Sequence, residues 1–202
     1  MSIAEDRFRV EPDDVERCAI VEIDDLIDRW RSAGKLGGPS QWTTDVKTRF
    51  CRLGRKLGYK VCVKKGEVPC DEHDYGEWLY DATWLRYDEG EYLLDCPLVL
   101  ESENEQDDDS IWSDWQKLII ANAAHRVMLF GKPSNSDRTR VFMKMIDEVD
   151  HYEQRRHGDR YLLAGWSDEG EGTMEYVVHL VGMGTLVGAE SVAEIGRRRS
   201  IT

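Results

Sequence analysis

The stretch that decides the fold is "LVLESENEQDDDSIWSDWQKLIIANAAHRVMLF", residues 98–130. It opens on a short apolar run that is typical of a buried strand, and it closes on another, "RVMLF". Between them, Trp112, Trp115 and Ile119 recur at helical spacing behind an acidic start. A strand, helix, strand unit of this kind requires a parallel pair of strands, normally joined by a right-handed crossover.

The same patterns predict the elements on either side. On the N-terminal side they predict two helices, at 12–38 and 39–58, followed by three strands, at 59–65, 77–87 and 92–103. On the C-terminal side they predict a helix at 137–155 and the strands "RYLLAGW" and "TMEYVVHLVGM". The short "DEGE" link between the strands 77–87 and 92–103 requires an antiparallel hairpin. The predicted fold class is therefore α/β, a mixed β-sheet flanked by helices.

The length of 202 residues suits one domain, residues 1–202, with a sizeable core. We expect an N-terminal arm and helix (1–38), a central core (41–130), a C-terminal elaboration of one helix and two strands (131–189) and a flexible tail (190–202). The start of the chain lacks the apolar region of a signal peptide, and no apolar run approaches the roughly 20 residues that span a bilayer. Five scattered cysteines without a CxxC pair indicate reduced thiols. These observations predict a cytoplasmic protein without a membrane partner.

Acidic side chains stand where two neighbouring strands meet the edge of the predicted sheet. Strand alternation puts Glu101 and Glu103 on one face of their strand, and the hairpin can bring Asp81 close to them. A two-residue turn would pair Asp81 with Pro97 or Leu98, so a longer turn or a bulge is needed. Converging carboxylates suit a hard cation such as Mg²⁺ or Mn²⁺, which lowers the pKa of bound water. The alternative is a strand end that simply emerges into water.

The element order of residues 41–130, αβββαβ, resembles the core of the PD-(D/E)XK, or restriction-endonuclease-like, nuclease superfamily. In that family an Asp lies on the second core strand and a (D/E)xK triplet on the third. Here Asp81 in "WLYDATW" and Glu101-Ser102-Glu103 in "LVLESEN" stand at the matching places. The resemblance covers a little under half of the chain. It implies a Mg²⁺-dependent nuclease that hydrolyses phosphodiester bonds, with Mg²⁺ or Mn²⁺ held by Asp81, Glu101 and Glu103.

The chain departs from the family pattern in one respect, because Glu103 replaces the motif Lys. In some members of the family the missing Lys comes from the following helix, which makes Lys117 the candidate here, although it falls nearly opposite the apolar stripe of its helix. The resemblance then gives Glu103 the role of orienting or deprotonating water and Lys117 that of neutralising charge. The alternative is a catalytically inactive protein of the same fold that serves as an interaction or immunity-type module.

A basic segment provides the predicted nucleic-acid contact. The formal net charge of −13 argues against binding phosphates over the whole surface. Residues 46–65, however, contain no acidic residue, and their first helix carries Lys47, Arg49, Arg52, Arg55 and Lys56. We interpret these side chains as a track for nucleic acid, with DNA favoured over RNA, and the alternative is a solvated helix face. The resemblance is also compatible with a homodimer and with a protein partner.

Overall fold

The computed structural model of the chain describes residues 11–32, 38–63, 78–104, 107–169 and 172–188. The helices are α1 (Asp14–Ser32), α2 (Gly38–Lys56), α3 (Asp108–Ile120) and α4 (Asn135–His151). The strands are β1 (Lys60–Cys62), β2 (Ala82–Tyr87), β3 (Leu93–Glu103), β4 (His125–Lys132), β5 (Arg160–Ser167), β6 (Thr173–Leu180) and β7 (Gly184–Gly188). Residues 1–10 of the predicted arm (1–11), the whole of the predicted tail (190–202), and Lys64 and Lys65 of the basic segment lie outside the described residues.

The strands form one seven-stranded sheet in the order β1-β2-β3-β4-β5-β6-β7. The three central strands β3, β4 and β5 are parallel, and the outer pairs on both sides are antiparallel. The mixed α/β fold class is therefore confirmed. Because β3, β4 and β5 are parallel, their carboxyl ends meet at one edge of the sheet, where ligand sites of α/β proteins usually lie.

Helices cover both faces of the sheet. One face of β3 presents Leu98 and Leu100 to a core shared with α1 and α2. The other face presents Val99 to a core shared with α3 and α4. This division follows from strand alternation, because successive side chains of β3 point to opposite faces. No helix in the described ranges is long and apolar enough to cross a membrane.

The ten predicted elements occur in the predicted order, with three differences. β7 was not predicted; it pairs with β6 after a turn in which Gly182 has a φ of 84°. β2 begins at Ala82 rather than at residue 77, so Asp81 lies in a bend before the strand. α3, predicted over roughly 110–125, ends at Ile120 because Ala121 has extended backbone dihedral angles and begins the connection to β4.

The packing of α2 on β2 gives one testable consequence. A methyl group added at Gly54 would lie 2.6 Å from Nε1 of Trp84, which is fully buried and donates to the Phe50 carbonyl. Ala exceeds Gly in helix propensity by about 1 kcal/mol, but overpacking typically costs about 1–3 kcal/mol. We expect Gly54→Ala to lower the free energy of unfolding in urea, with exposed Lys56→Ala as the control. A stabilised Gly54→Ala variant would contradict this packing.

Candidate functional site

The hairpin between β2 and β3 sets the position of the first acidic residue. Its loop is longer than a two-residue turn and is held by Asp88, whose carboxylate accepts hydrogen bonds from the backbone N–H groups of Gly90 and Tyr92. Register shifts at Arg86 then pair Ala82 with Leu100. The bulge that the sequence required is therefore present, and Asp81 stands level with Glu101 at the edge of the sheet.

Asp81 is fixed by three groups. Its Oδ2 accepts a hydrogen bond of 2.9 Å from the backbone N–H of Ser102, and its Oδ1 lies 2.9 Å from Nζ of Lys47. Its own backbone N–H donates to Oε2 of Glu101 at 3.4 Å. The side chain remains 17% exposed, so water reaches the site from this edge.

Glu101 is the buried acid of the site. Its side chain is only 4% exposed, and its Oε1 makes no hydrogen bond, although Nζ of Lys117 lies 3.4 Å from that oxygen. Burial, followed by the negative charges of Asp81 and Asp114, raises the pKa of Glu101 to about 8 against the opposing effect of Lys117. A carboxyl group with such a pKa is mostly protonated at neutral pH unless a cation joins it.

Lys117 reaches the site from α3. It lies off the apolar stripe of the helix, as the sequence indicated, but its flexible stem carries the ammonium group back to the sheet. There Nζ contacts Oδ1 of Asp114 at 2.6 Å and Oε1 of Glu101 at 3.4 Å. Burial opposes its charge, but the hydrogen bond to Asp114 and the charge of Glu101 outweigh burial and raise the pKa of Lys117.

Glu103 is the third of the predicted acids. It ends β3 opposite Phe130, on the same face as Glu101, and it is partly exposed. In the described ranges no group of three or more acidic, His or Cys side chains is placed to hold a metal ion. The structure therefore gathers Asp81 and Glu101 rather than the predicted trio. Strand alternation put Glu101 and Glu103 on one face, and the hairpin was expected to bring Asp81 close to both, but Asp81 precedes β2 and its side chain contacts Lys47 of α2.

Two members of the predicted basic track are not on the surface. Lys47 is 3% exposed and pairs with Asp81. Arg49 is mostly buried and pairs with Glu22 and Asp25 of α1. The prediction failed here because the helical face of α2 that packs against the sheet carries a charged residue as well as apolar ones. The spacing of charged and apolar residues in the sequence does not indicate that Lys47 points inward.

The other three basic residues of the track, Arg52, Arg55 and Lys56, are exposed. They lie roughly 8–13 Å further along the axis of α2 from Lys47, given a rise of 1.5 Å per residue. The exposed part of the basic segment therefore lies about one and a half to two and a half helical turns beyond Lys47, which is the residue of the segment that contacts Asp81.

The donor set fits a magnesium ion better than a structural metal. Mg²⁺ is usually held by one or two carboxylates, with water and substrate phosphate completing its coordination. Asp81 and Glu101 supply two carboxylates, and Glu101 Oε1 is a buried oxygen that makes no close hydrogen bond and has the Lys117 ammonium group 3.4 Å away. Lys47 from α2 and Lys117 from α3 bring positive charge from opposite faces of the sheet.

No family model, curated protein or solved structure matches the chain in comparisons with known proteins. The geometry of the site is therefore the ground on which a function can be argued.

Proposed function

We propose that the protein is a Mg²⁺- or Mn²⁺-dependent nuclease that hydrolyses phosphodiester bonds, with the restriction-endonuclease-like core that the sequence resembles. The observation that carries the proposal is the meeting of Asp81 and Glu101 at the carboxyl edge of β3, between two lysines. The element order α2-β1-β2-β3-α3-β4 supports it, because this is the αβββαβ order of that core.

Each residue has a role in the proposal. Asp81 and Glu101 would hold the ion, which supplies an activated water and stabilises charge on the phosphate. Lys117 would neutralise charge that develops on the phosphate, because its ammonium group lies beside Glu101 and its side chain is 36% exposed. Glu103, on the face of Glu101 and nearer to solvent, would orient or deprotonate the attacking water. Nucleic acid, with DNA ahead of RNA, is the proposed substrate.

The test is cleavage of single- and double-stranded DNA and RNA by the purified chain, with Mg²⁺, with Mn²⁺ and with a chelator. We expect cleavage only when the metal is present. Cleavage that persists in the chelator would overturn the proposal, and so would the absence of cleavage on every substrate in both metals.

One variant separates the role of Lys117 from a structural role. We expect Lys117→Met to lower the cleavage rate by about 10²-fold, the typical cost of removing one group that stabilises a transition-state charge. Lys117→Arg should recover part of the rate because it keeps the charge. Thermal unfolding should change little, since Lys117 is partly exposed. The matched control is Lys144→Met on α4, and an unchanged rate in Lys117→Met would remove Lys117 from the mechanism.

A second candidate function follows from the same ion pairs. Each carboxylate already has an ammonium group near it, and the described residues contain no three-ligand metal group. These facts favour a catalytically inactive protein of the same fold that acts as an interaction or immunity-type module. Calorimetric titration with Mn²⁺ separates the two: binding that is lost in Glu101→Gln supports the nuclease, and no binding supports the inactive module.

A further inference from the structure

Lys47 lies against an oxygen of Asp81 that a metal ion would need as a ligand. Lys47 extends from α2 into the interior of the protein, where it is 3% exposed, and its Nζ lies 2.9 Å from Oδ1 of Asp81. The other oxygen of Asp81 accepts the backbone N–H of Ser102. Both oxygens of this carboxylate are therefore engaged by groups of the protein.

A buried lysine needs a reason, because removing an ammonium group from water costs several kcal/mol in practice and a single ion pair often fails to recover that cost. A hydrophobic residue at position 47 would pack against the adjacent core of α2, where Val46 and Phe50 are buried, without this penalty. The charge of Lys47 is therefore explained by the Asp81 carboxylate, which needs a cation beside it, and not by the packing of the core.

We infer that Lys47 is a built-in counter-cation, which holds the Asp81 carboxylate in place without metal and is displaced from Oδ1 when a divalent ion binds. This inference rests on the proposed function and adds a positioning residue to it. Lys47 and the ion compete for the same oxygen, so each weakens the binding of the other by the same factor. The released ammonium group stays at the site, where it can pair with an anionic substrate such as a phosphodiester.

The first experiment measures metal affinity by calorimetry. We expect Lys47→Met to bind Mn²⁺ about 10-fold more tightly than the natural chain, within the usual range of coupling between two sites. The metal-free variant should also be less stable, because Asp81 loses its partner. If Lys47 served only in packing, Lys47→Met would not bind Mn²⁺ more tightly than the natural chain. Lys144→Met, at an exposed lysine of α4 outside the basic track, is the control and should bind Mn²⁺ like the natural chain.

The second experiment needs no variant and therefore stands even if Lys47→Met does not fold. Acetic anhydride labels accessible amines, and mass spectrometry reads the label at each lysine. We expect Mg²⁺ to increase acetylation of Lys47 several-fold and to leave exposed Lys56 unchanged. Unchanged or reduced labelling of Lys47 in saturating Mg²⁺ would overturn the inference.

The outcomes separate the inference from the proposed function. If the natural chain binds Mn²⁺ and a folded Lys47→Met variant binds it equally or more weakly, the inference fails while the nuclease proposal survives. If neither protein binds Mn²⁺, both fail.

Discussion

Asp81→Asn is expected to abolish metal-dependent cleavage, with a rate lower by on the order of 10³-fold or more, because the charge that holds the ion is lost. Asn keeps the shape of Asp and one oxygen for the Ser102 N–H, so the hairpin register should remain. Mn²⁺ affinity, measured by calorimetry, should fall together with the rate. A variant that still binds Mn²⁺ and cleaves at the natural rate would remove Asp81 from the site.

The same substitution also tests the ion pair. Lys47 is 4% exposed in its side chain, so Asp81→Asn leaves a buried ammonium group without its charged partner. Removing one member of a buried pair typically costs about 3–5 kcal/mol of stability. Because Asp81 is partly exposed, we expect a loss near the lower end of this range. Urea unfolding without metal measures this loss.

Asp114→Asn is the matched control for both measurements. Asp114 is as exposed as Asp81, at 18% against 17%, and it also pairs with a lysine of the site. It is not a proposed metal ligand, and its partner Lys117 is partly exposed. We therefore expect a small loss of stability and a far smaller loss of cleavage than in Asp81→Asn. Equal losses in the two variants would show that any nearby carboxylate serves, contrary to the proposal.

The sequence predicted the fold well because each element carries a local signal. Apolar spacing identified the four helices, and the unit 98–130 required the parallel pair of β3 and β4. The extent of the hairpin could not be predicted in this way, because its register depends on bulges at Arg86 and on the loop held by Asp88. Such features arise from the fit of two whole strands, and "DEGE" alone does not specify them. β7 was missed because it begins and ends with glycine, and the three residues between them are too few to show a periodicity.

The candidate site was predicted in part for a similar reason. Asp81 and Glu101 could be found because acidic residues conflict with the apolar strands around them. Lys47 could not, since a lysine on an amphipathic helix normally points to solvent and only the tertiary structure turns this one inward. Lys117 was found through the resemblance, while helical geometry argued against it. A long side chain that bends back to the sheet escapes an argument from helical angles.

The raised pKa of Glu101 gives the second large expected effect, on stability without metal. The carboxyl group has a pKa of about 8 in the folded chain against 4.5 when unfolded. Between these values the folded state holds a proton that the unfolded state has lost, so raising the pH destabilises the fold. The slope reaches about 1.4 kcal/mol per pH unit. We expect a loss on the order of 3 kcal/mol between pH 5 and pH 8 from this group alone.

Glu101→Gln isolates the contribution of Glu101 from that of other titrating groups. Gln is neutral at every pH, and groups such as His125 and Asp13 are common to both proteins, so their effects cancel in the difference. We expect the variant to approach or exceed the natural chain in stability as the pH rises through the window from 4.5 to 8. Urea unfolding at several pH values in a chelator measures the difference. A difference that does not change with pH would mean that Glu101 ionises normally.

Divalent metal should reverse this pH dependence, because an ion binds the ionised carboxylate and not the protonated one. Below pH 8 each ion that binds must displace the proton of Glu101, so Mn²⁺ affinity should rise by up to about 10-fold per pH unit and level off above pH 8. The group that destabilises the fold at neutral pH without metal is therefore the one that would make the proposed site selective for a cation. The burial that raises its pKa is the common cause of both effects.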